Sequence, residues 1–407
     1  MEEKLRKYAQ VLIRNGINLQ KNQVLYLNCP VEAYDFCRIV HEEAYLAGAK
    51  RVDIDWYDSK SDHLKYSYAS SEVFEHFEQW QQDKFYSYLD QDVAFITIIQ
   101  PSFEDYSNID SNKIIKYQTL KAQKISKLIE KQMNYENQWC GIALPNQEWA
   151  EKIFPDLSKE EALDKLWETV FDLCRVNTKN PINAWINHDN NLKDKVKLLD
   201  QYQFKALHYK NSLGTDLHIG LPLNHIWKGG SKTTPQGIDF IPNIPTEEVF
   251  TIPNRYQVNG VVYGSLPLVH QGVIIDQFKI VFKDGKAIET TAKSGEEILK
   301  QMLKIDQGAS YLGEVALVPV KSPISKTGLL FYTTLYDENA SCHLAFGQAY
   351  NCLSDYDKLT KEELEQRGKN ESNIHVDFMI GTKDLSIKGI TKDNQEIDVF
   401  INGEWAI

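Results

Sequence analysis

The stretch VAFITIIQ, Val93 to Gln100, decides the fold class of the first half of the chain. It is the most continuous β-branched run in that half, and such a run reads as a strand covered on both faces, as in a parallel sheet. Working outward, VLYLNCP (Val24–Pro30) is a second short apolar run. It is followed by a helical stretch through Ala47, with Gly48 placed to end it. RVDIDWYD (Arg51–Asp58) alternates apolar and polar residues, and helical segments follow up to about Tyr88. Downstream, a Lys-rich helix around Lys113–Gln132 leads to WCGIALP (Trp139–Pro145), another buried strand. Ser158 and Glu161 form a capping box that opens a helix running to about Leu173. Strands separated by helices predict a largely parallel sheet with right-handed crossovers.

Around Tyr202 the pattern changes to short alternating runs and glycine turns, as in LHYKNSLGTDLHIGL, QFKIVFKDGKAIE and LSIKGITKDNQEIDVFINGEWAI. KDGK (Lys283–Lys286) and NGE (Asn402–Glu404) are hairpin-type turns. The prediction is an α/β domain over 1–200 and an α+β domain rich in antiparallel strands over 201–407. A chain of 407 residues accommodates two cores comfortably.

The composition, 42% hydrophobic and 25% charged, is that of a folded protein. A formal net charge of −12 repels phosphate backbones, so nucleic acid and anionic membrane surfaces are poor partners. No run of about eighteen apolar residues is present to span a membrane. The opening segment places Leu5, Tyr8, Leu12 and Ile13 at helical spacing, which is an amphipathic helix and not a signal peptide, so a cytoplasmic location is expected. Cys29, Cys37, Cys140, Cys174, Cys342 and Cys352 contain no CxxC pair and read as reduced, mostly buried residues.

Four clusters in the second half can carry chemistry. PTEEVF (Pro245–Phe250) sets Glu247 and Glu248 between a proline turn and an apolar strand, and GEVALVP (Gly313–Pro319) sets Glu314 at the mouth of one. YDENASCHLAFGQAY (Tyr336–Tyr350) holds Glu338, His343 and Tyr350, and IHVDFMIG (Ile374–Gly381) holds His375 and Asp377. Side chains at i and i+2 leave the same face of a strand, so His375 and Asp377 can converge on one ion. Burying both costs several kcal/mol unless a metal or counter-charge compensates. Each cluster alone has a blander reading: a core histidine, a solvated glutamate pair at a strand start, a glutamate paired with a lysine. Together, carboxylates from all four clusters and two imidazoles, without a thiolate, suit a pair of divalent cations such as zinc, cobalt, manganese or magnesium.

NIPTEEVFTIPN, GEVALVP, DENASCHLAFGQAY and HVDFMIG, in that order and spacing, resemble the M29 family of metallo-aminopeptidases, the group of aminopeptidases T and S and PepS. The resemblance extends over essentially the whole chain, including NRYQVNGVVYGSLPL (Asn254–Leu268). It implies an exopeptidase that removes N-terminal residues from peptides, using two divalent metal ions per chain. The metal ligands it implies are Glu248, Glu314, Glu338, His343, His375 and Asp377, with Glu314 serving both ions and Tyr350 as the catalytic tyrosine. It further implies that the N-terminal half is a scaffold that shapes the entrance to the site and supports a homodimer.

The proton acceptor is left between Glu247 and Glu314. Adjacent strand residues point to opposite faces, which favours Glu314. His208, His218, His225 and His270 lack a partner at ligand spacing and read as structural or surface residues. KGGSK (Lys228–Lys232) lacks the spacing of a phosphate-cradling loop, and in DYDKLTKEELEQRG (Asp355–Gly368) Thr360 and Glu363 make a capped helix start, not a calcium loop. NCPVEAY after the first strand carries no GxGxxG, so a nucleotide cofactor is not expected. Two other classes stay open. A two-metal phosphohydrolase would use similar ligands but also Arg or Lys near the metals, and a non-catalytic peptide-binding protein could retain the fold.

Overall fold

A computed structural model describes residues 1–103, 109, 111–270 and 273–407. Contacts divide the chain into two compact units, Met1–Asp189 with Ser231–Pro245, and Asn190–Gly230 with Thr246–Ile407.

In the first unit, four parallel strands run in the order Arg51–Tyr57, Val24–Pro30, Val93–Ile99, Trp139–Ala143. Helix Tyr34–Leu46 connects the first pair, and Gly48, at φ +99°, follows its end in a backbone conformation that suits glycine. Val93–Ile99 is covered on both faces over its first four residues only; beyond them Thr97 and Ile99 emerge. The helix expected around Lys113–Gln132 is two, Ser111–Lys124 and Ser126–Met133. Ile125 leaves helical geometry (φ −107°, ψ 17°) and caps a new helix, which carries Leu128 into the core beside Val24, Val93 and Phe95. Ser158 and Glu161 close both hydrogen bonds of the expected capping box on helix Lys159–Leu173. Ser231–Pro245 returns to this unit as a small hairpin, Lys232–Thr233 with Asp239–Phe240, whose Phe240 lies against Tyr135 and Trp139.

Among the described residues the second unit contains two large antiparallel sheets and a two-stranded pair, Leu268–His270 with Val273–Ile275. The larger has eight strands, ordered Lys286–Thr291, Lys279–Lys283, Val258–Tyr263, Asp216–Gly220, Ala206–Lys210, Ser386–Ile390, Glu396–Ile401, Glu404–Trp405. Two of its turns are the expected ones: Asp284–Gly285 and Asn402–Gly403 both have positive φ, the requirement of tight hairpins. The smaller sheet has five strands, ordered His375–Met379, His343–Gly347, Leu312–Leu317, Val249–Thr251, Lys228–Gly229. One face of each sheet supplies the core. Leu207, Tyr209, Leu217, Ile219 and Phe282 come from the larger, and Val249, Val315, Leu317, Leu344, Phe346 and Phe378 from the smaller. Phe282 stacks on Phe346 at 5.9 Å. Each such side chain contributes roughly 1.5–3 kcal/mol on burial. Because side chains alternate, the residues between these apolar ones are turned to the opposite face of the smaller sheet. Among the described residues no helix is long and apolar enough to cross a membrane.

Candidate metal centre

The opposite face of the five-stranded sheet collects the acidic and imidazole residues. Asp377 is directly opposite Ala345, and Ala345 is opposite Glu314, so the two acids flank one methyl group across three strands. His375 is opposite Gly347, and His343 leaves the same face two residues before Ala345. Glu248 immediately precedes strand Val249–Thr251, beside the Glu314 strand, and shares a face with Phe250. Ala345 and Gly347 on strand His343–Gly347 therefore leave room for large polar residues on its two neighbours.

Glu314 reaches this face because of a β-bulge. Leu312 points into the apolar core, and simple alternation would send Glu314 after it. The register shifts between Leu312 and Glu314, which reverses the face. Glu314 is thus inside its strand, not at the mouth where the sequence put it. Gly313 makes the bulge possible: a Cβ there would lie 2.3 Å from the Gly347 carbonyl oxygen.

Two groups result. His343 Nε2 is 3.2 Å from Glu248 Oε2 and 3.5 Å from Glu314 Oε1. His375 Nε2 is 3.6 Å from Glu314 Oε2 and 3.3 Å from Asp377 Oδ1. The ligand atoms of Glu248, Glu314 and His343 lie within 4.8 Å of one another, and so do those of Glu314, His375 and Asp377. Glu314 belongs to both, one oxygen to each.

Each imidazole is oriented through its other nitrogen. His343 Nδ1 is 3.0 Å from the Ser341 carbonyl and His375 Nδ1 is 2.7 Å from the Gln348 carbonyl, so both rings donate Nδ1–H and aim Nε2 at the carboxylates. His343 Nε2 is buried and makes no hydrogen bond of good geometry. A nitrogen lone pair facing anionic oxygens at this distance is repulsive unless a proton or a cation lies between them. The residues therefore fit a divalent cation group on donor chemistry as well as on spacing.

The electrostatics agree. Burial, then the neighbouring Glu248, pushes the Glu314 carboxyl up, opposed by His343. Burial and the charges of Asp377 and Glu248 push Glu338 well above the usual carboxylate range. Burial pulls His375 down, but Asp377 and Glu314 outweigh it and raise the ring to about 10. Among the described residues, the ion pairs of Glu248, Glu314 and Asp377 are with His343 and His375, and none is with lysine or arginine.

The remaining predicted residues are disposed differently. Glu338 is buried and couples electrostatically to Asp377 and Glu248, yet it belongs to neither close group. Tyr350 sets its ring edge-on to His375 at 5.3 Å and packs against Phe250 at 5.5 Å. Burial and the nearby acids raise its phenol well above its ordinary pKa, so it keeps its proton. Glu247 is buried, outside both groups, and its backbone N–H donates to Asn339 Oδ1 at 2.7 Å.

Asn339 was not anticipated. It is fully buried and ties the Glu247–Glu248 segment to the turn bearing Glu338, since its Nδ2 also donates to the Leu335 carbonyl at 3.0 Å and to Glu338 at 3.4 Å. Asp337 was likewise missed. Its carboxylate accepts the backbone N–H groups of Phe331 (2.7 Å) and Thr333 (3.1 Å), closing the loop that leads to Glu338. An asparagine and an aspartate beside a candidate ligand were the only signals in sequence. The reading of His208 and His218 as lacking a partner at ligand spacing is corrected: they face each other across two strands, with Asp216 in reach. His225 is buried and donates its Nδ1–H to the Pro222 carbonyl at 2.9 Å, a structural contact.

Residues 1–405 match the model of the thermophilic metalloprotease (M29) family. The chain is 42% identical over 405 residues to "Aminopeptidase AmpS" of Bacillus subtilis, covering 99% of this chain and 98% of that one. It is 41% identical over 406 residues to "Aminopeptidase 2" of Geobacillus stearothermophilus, covering 100% and 98%. The solved structure of wild-type AmpT from Thermus thermophilus superposes with a TM-score of 0.92 at 36% identity, with full coverage of both chains.

Proposed function

The chain belongs to the M29 metalloprotease family, and from that membership and the buried acid–imidazole cluster we infer that it is a metallo-aminopeptidase, a hydrolase that removes N-terminal residues from peptides. One observation supports the mechanism above the rest: Glu314 stands between two imidazole–carboxylate groups with an oxygen turned to each. We assign Glu248, Glu314, Glu338, His343, His375 and Asp377 as ligands of two divalent cations per chain, drawn from zinc, cobalt, manganese or magnesium. The charge count favours two: the four carboxylates of that set balance two dications, and burying them uncompensated would cost several kcal/mol per ion.

Cations bound there supply Lewis acidity and lower the pKa of a coordinated water from about 15.7 toward about 7. The chain's own groups do the rest. The Ser341 and Gln348 carbonyls hold the two imidazoles in the tautomer that presents Nε2. Glu314, central to the cluster, is the proposed acceptor of the attacking water's proton; Glu247, outside both groups, is the weaker candidate. The Tyr350 phenol, protonated in its acidic surroundings, donates to the substrate carbonyl oxygen as negative charge develops there. The His375 side chain is 23% exposed against 1% for His343, so substrate is proposed to arrive from the His375 and Tyr350 side. A field of carboxylates that has no lysine or arginine ion pair among the described residues attracts a peptide ammonium and disfavours a phosphate ester, which weighs against a phosphohydrolase.

We further propose that residues 201–407 carry catalysis on a scaffold formed by 1–200, and that the protein works in the cytoplasm as a homodimer. The compartment is supported by six cysteines that are all buried and form no disulfide.

The test compares a peptide with a free N-terminus, the same peptide acetylated, and a phosphate ester. Hydrolysis of the free-amine peptide alone, abolished by chelator and restored by cobalt or zinc, is the expected result. Equal cleavage of the acetylated peptide, or turnover that survives removal of all bound metal, would overturn it.

A further inference from the structure

The eight-stranded sheet carries a cluster of donors on its solvent face. Strands Ala206–Lys210 and Asp216–Gly220 are antiparallel neighbours in the middle of that sheet, with His208 directly opposite His218 and Lys210 opposite Asp216. Leu207, Tyr209, Leu217 and Ile219 point to the core, so alternation sends His208, Asp216 and His218 outward. The two imidazoles stack with centroids 3.7 Å apart and planes 17° from parallel. His208 Nε2 lies 2.6 Å from Asp216 Oδ1, and one donor atom from each of the three residues falls within 4.8 Å of the others.

We propose that His208, His218 and Asp216 form a second, surface metal site for one imidazole-preferring transition ion, of the class of zinc, nickel or copper. Stacked imidazoles at this separation repel if both are protonated, so a neutral nitrogen is available at neutral pH. Two nitrogens and one carboxylate oxygen are a borderline donor set that suits these ions and not magnesium or calcium. Nitrogen and oxygen ligands about 2.0–2.2 Å from a tetrahedral ion stand roughly 3.3 Å apart. Because an imidazole lone pair lies in its ring plane, the two rings must rotate about χ2 out of their parallel stack for both nitrogens to meet one ion. The ion would take the place of the proton shared by His208 and Asp216, so binding releases a proton. Central strands fix the backbone on both sides, so side-chain rotation alone brings the donors together. Two cations border the cluster. Lys210 Nζ is 3.4 Å from Asp216 Oδ2 and must swing into solvent, while Lys388, opposite His208, is engaged by Glu396 at 2.6 Å. Solvent would complete the coordination, leaving the ion exchangeable.

This site is independent of the buried centre and is tested apart from it. Zinc uptake by the full chain is measured by equilibrium dialysis and elemental analysis for the wild type, for His208→Ala/His218→Ala, and for Asp216→Asn. The wild type is expected to bind one more zinc per chain than the double variant, whose peptidase activity is unchanged. Asp216→Asn should weaken that equivalent by roughly tenfold or more, the order even an outer-shell partner commands. Equal zinc stoichiometry and affinity in wild type and double variant would overturn the proposal. His208→Gln, a milder change on the exposed face, is the second variant should the double one misfold, and retention of the extra zinc by it would also overturn the proposal.

Discussion

Replacing Glu314 by glutamine is expected to lower kcat/KM on a free-amine peptide by about a thousandfold or more, because several kcal/mol of transition-state stabilisation rest on cations that this residue helps to hold and each 1.36 kcal/mol is tenfold. Glutamine keeps the shape but loses the charge, and its amide turns an N–H₂ group toward one of the two imidazole nitrogens at 3.5–3.6 Å. Both groups would lose the charge they share and one would also lose a ligand oxygen, so metal content should fall with activity. Steady-state kinetics and elemental analysis on the same preparation measure both. Activity within tenfold of wild type at full metal content would contradict the role given to Glu314.

The second large effect is expected at Tyr350. Tyr350→Phe removes one oxygen and keeps the ring that packs on His375 and Phe250. Loss of a donor to a developing oxyanion costs about 2.7–4 kcal/mol, or roughly 10²–10³ in kcat. Bound metal and thermal midpoint should stay near wild type, since burial and the surrounding acids keep the phenol neutral and it forms no part of the ligand set. Unchanged turnover with metal intact would dispose of the catalytic role.

The parts of this architecture readable in sequence are those set by local periodicity. Val24–Pro30, Val93–Ile99 and the capping boxes at Ser158 and Thr360 depend on neighbours within a few residues, and they are where the pattern puts them. The shared face of His375 and Asp377 follows in the same way, from a two-residue repeat in an unbroken apolar run. Glu314 was legible as a buried acid but its face was not, because the bulge that turns it depends on the close approach of Gly313 to the Gly347 carbonyl in another strand. Asn339 was illegible for a similar reason, since it meets the Glu247 backbone 92 residues away. The return of Ser231–Pro245 to the first unit has no composition signal. His208 and His218 were judged on spacing along the chain, whereas hairpin register is what sets them face to face. Tertiary pairing decides all four, and a single sequence carries it only implicitly.

Anomalous diffraction from crystals of the cobalt-loaded protein tests the central claim most directly. Two peaks per chain are predicted on the five-stranded sheet, one beside each oxygen of Glu314 at about 2.0–2.2 Å, the first also next to Glu248 and His343 and the second next to His375 and Asp377. A lone peak there, or ions that leave Glu314 uncoordinated, would contradict a shared two-cation centre.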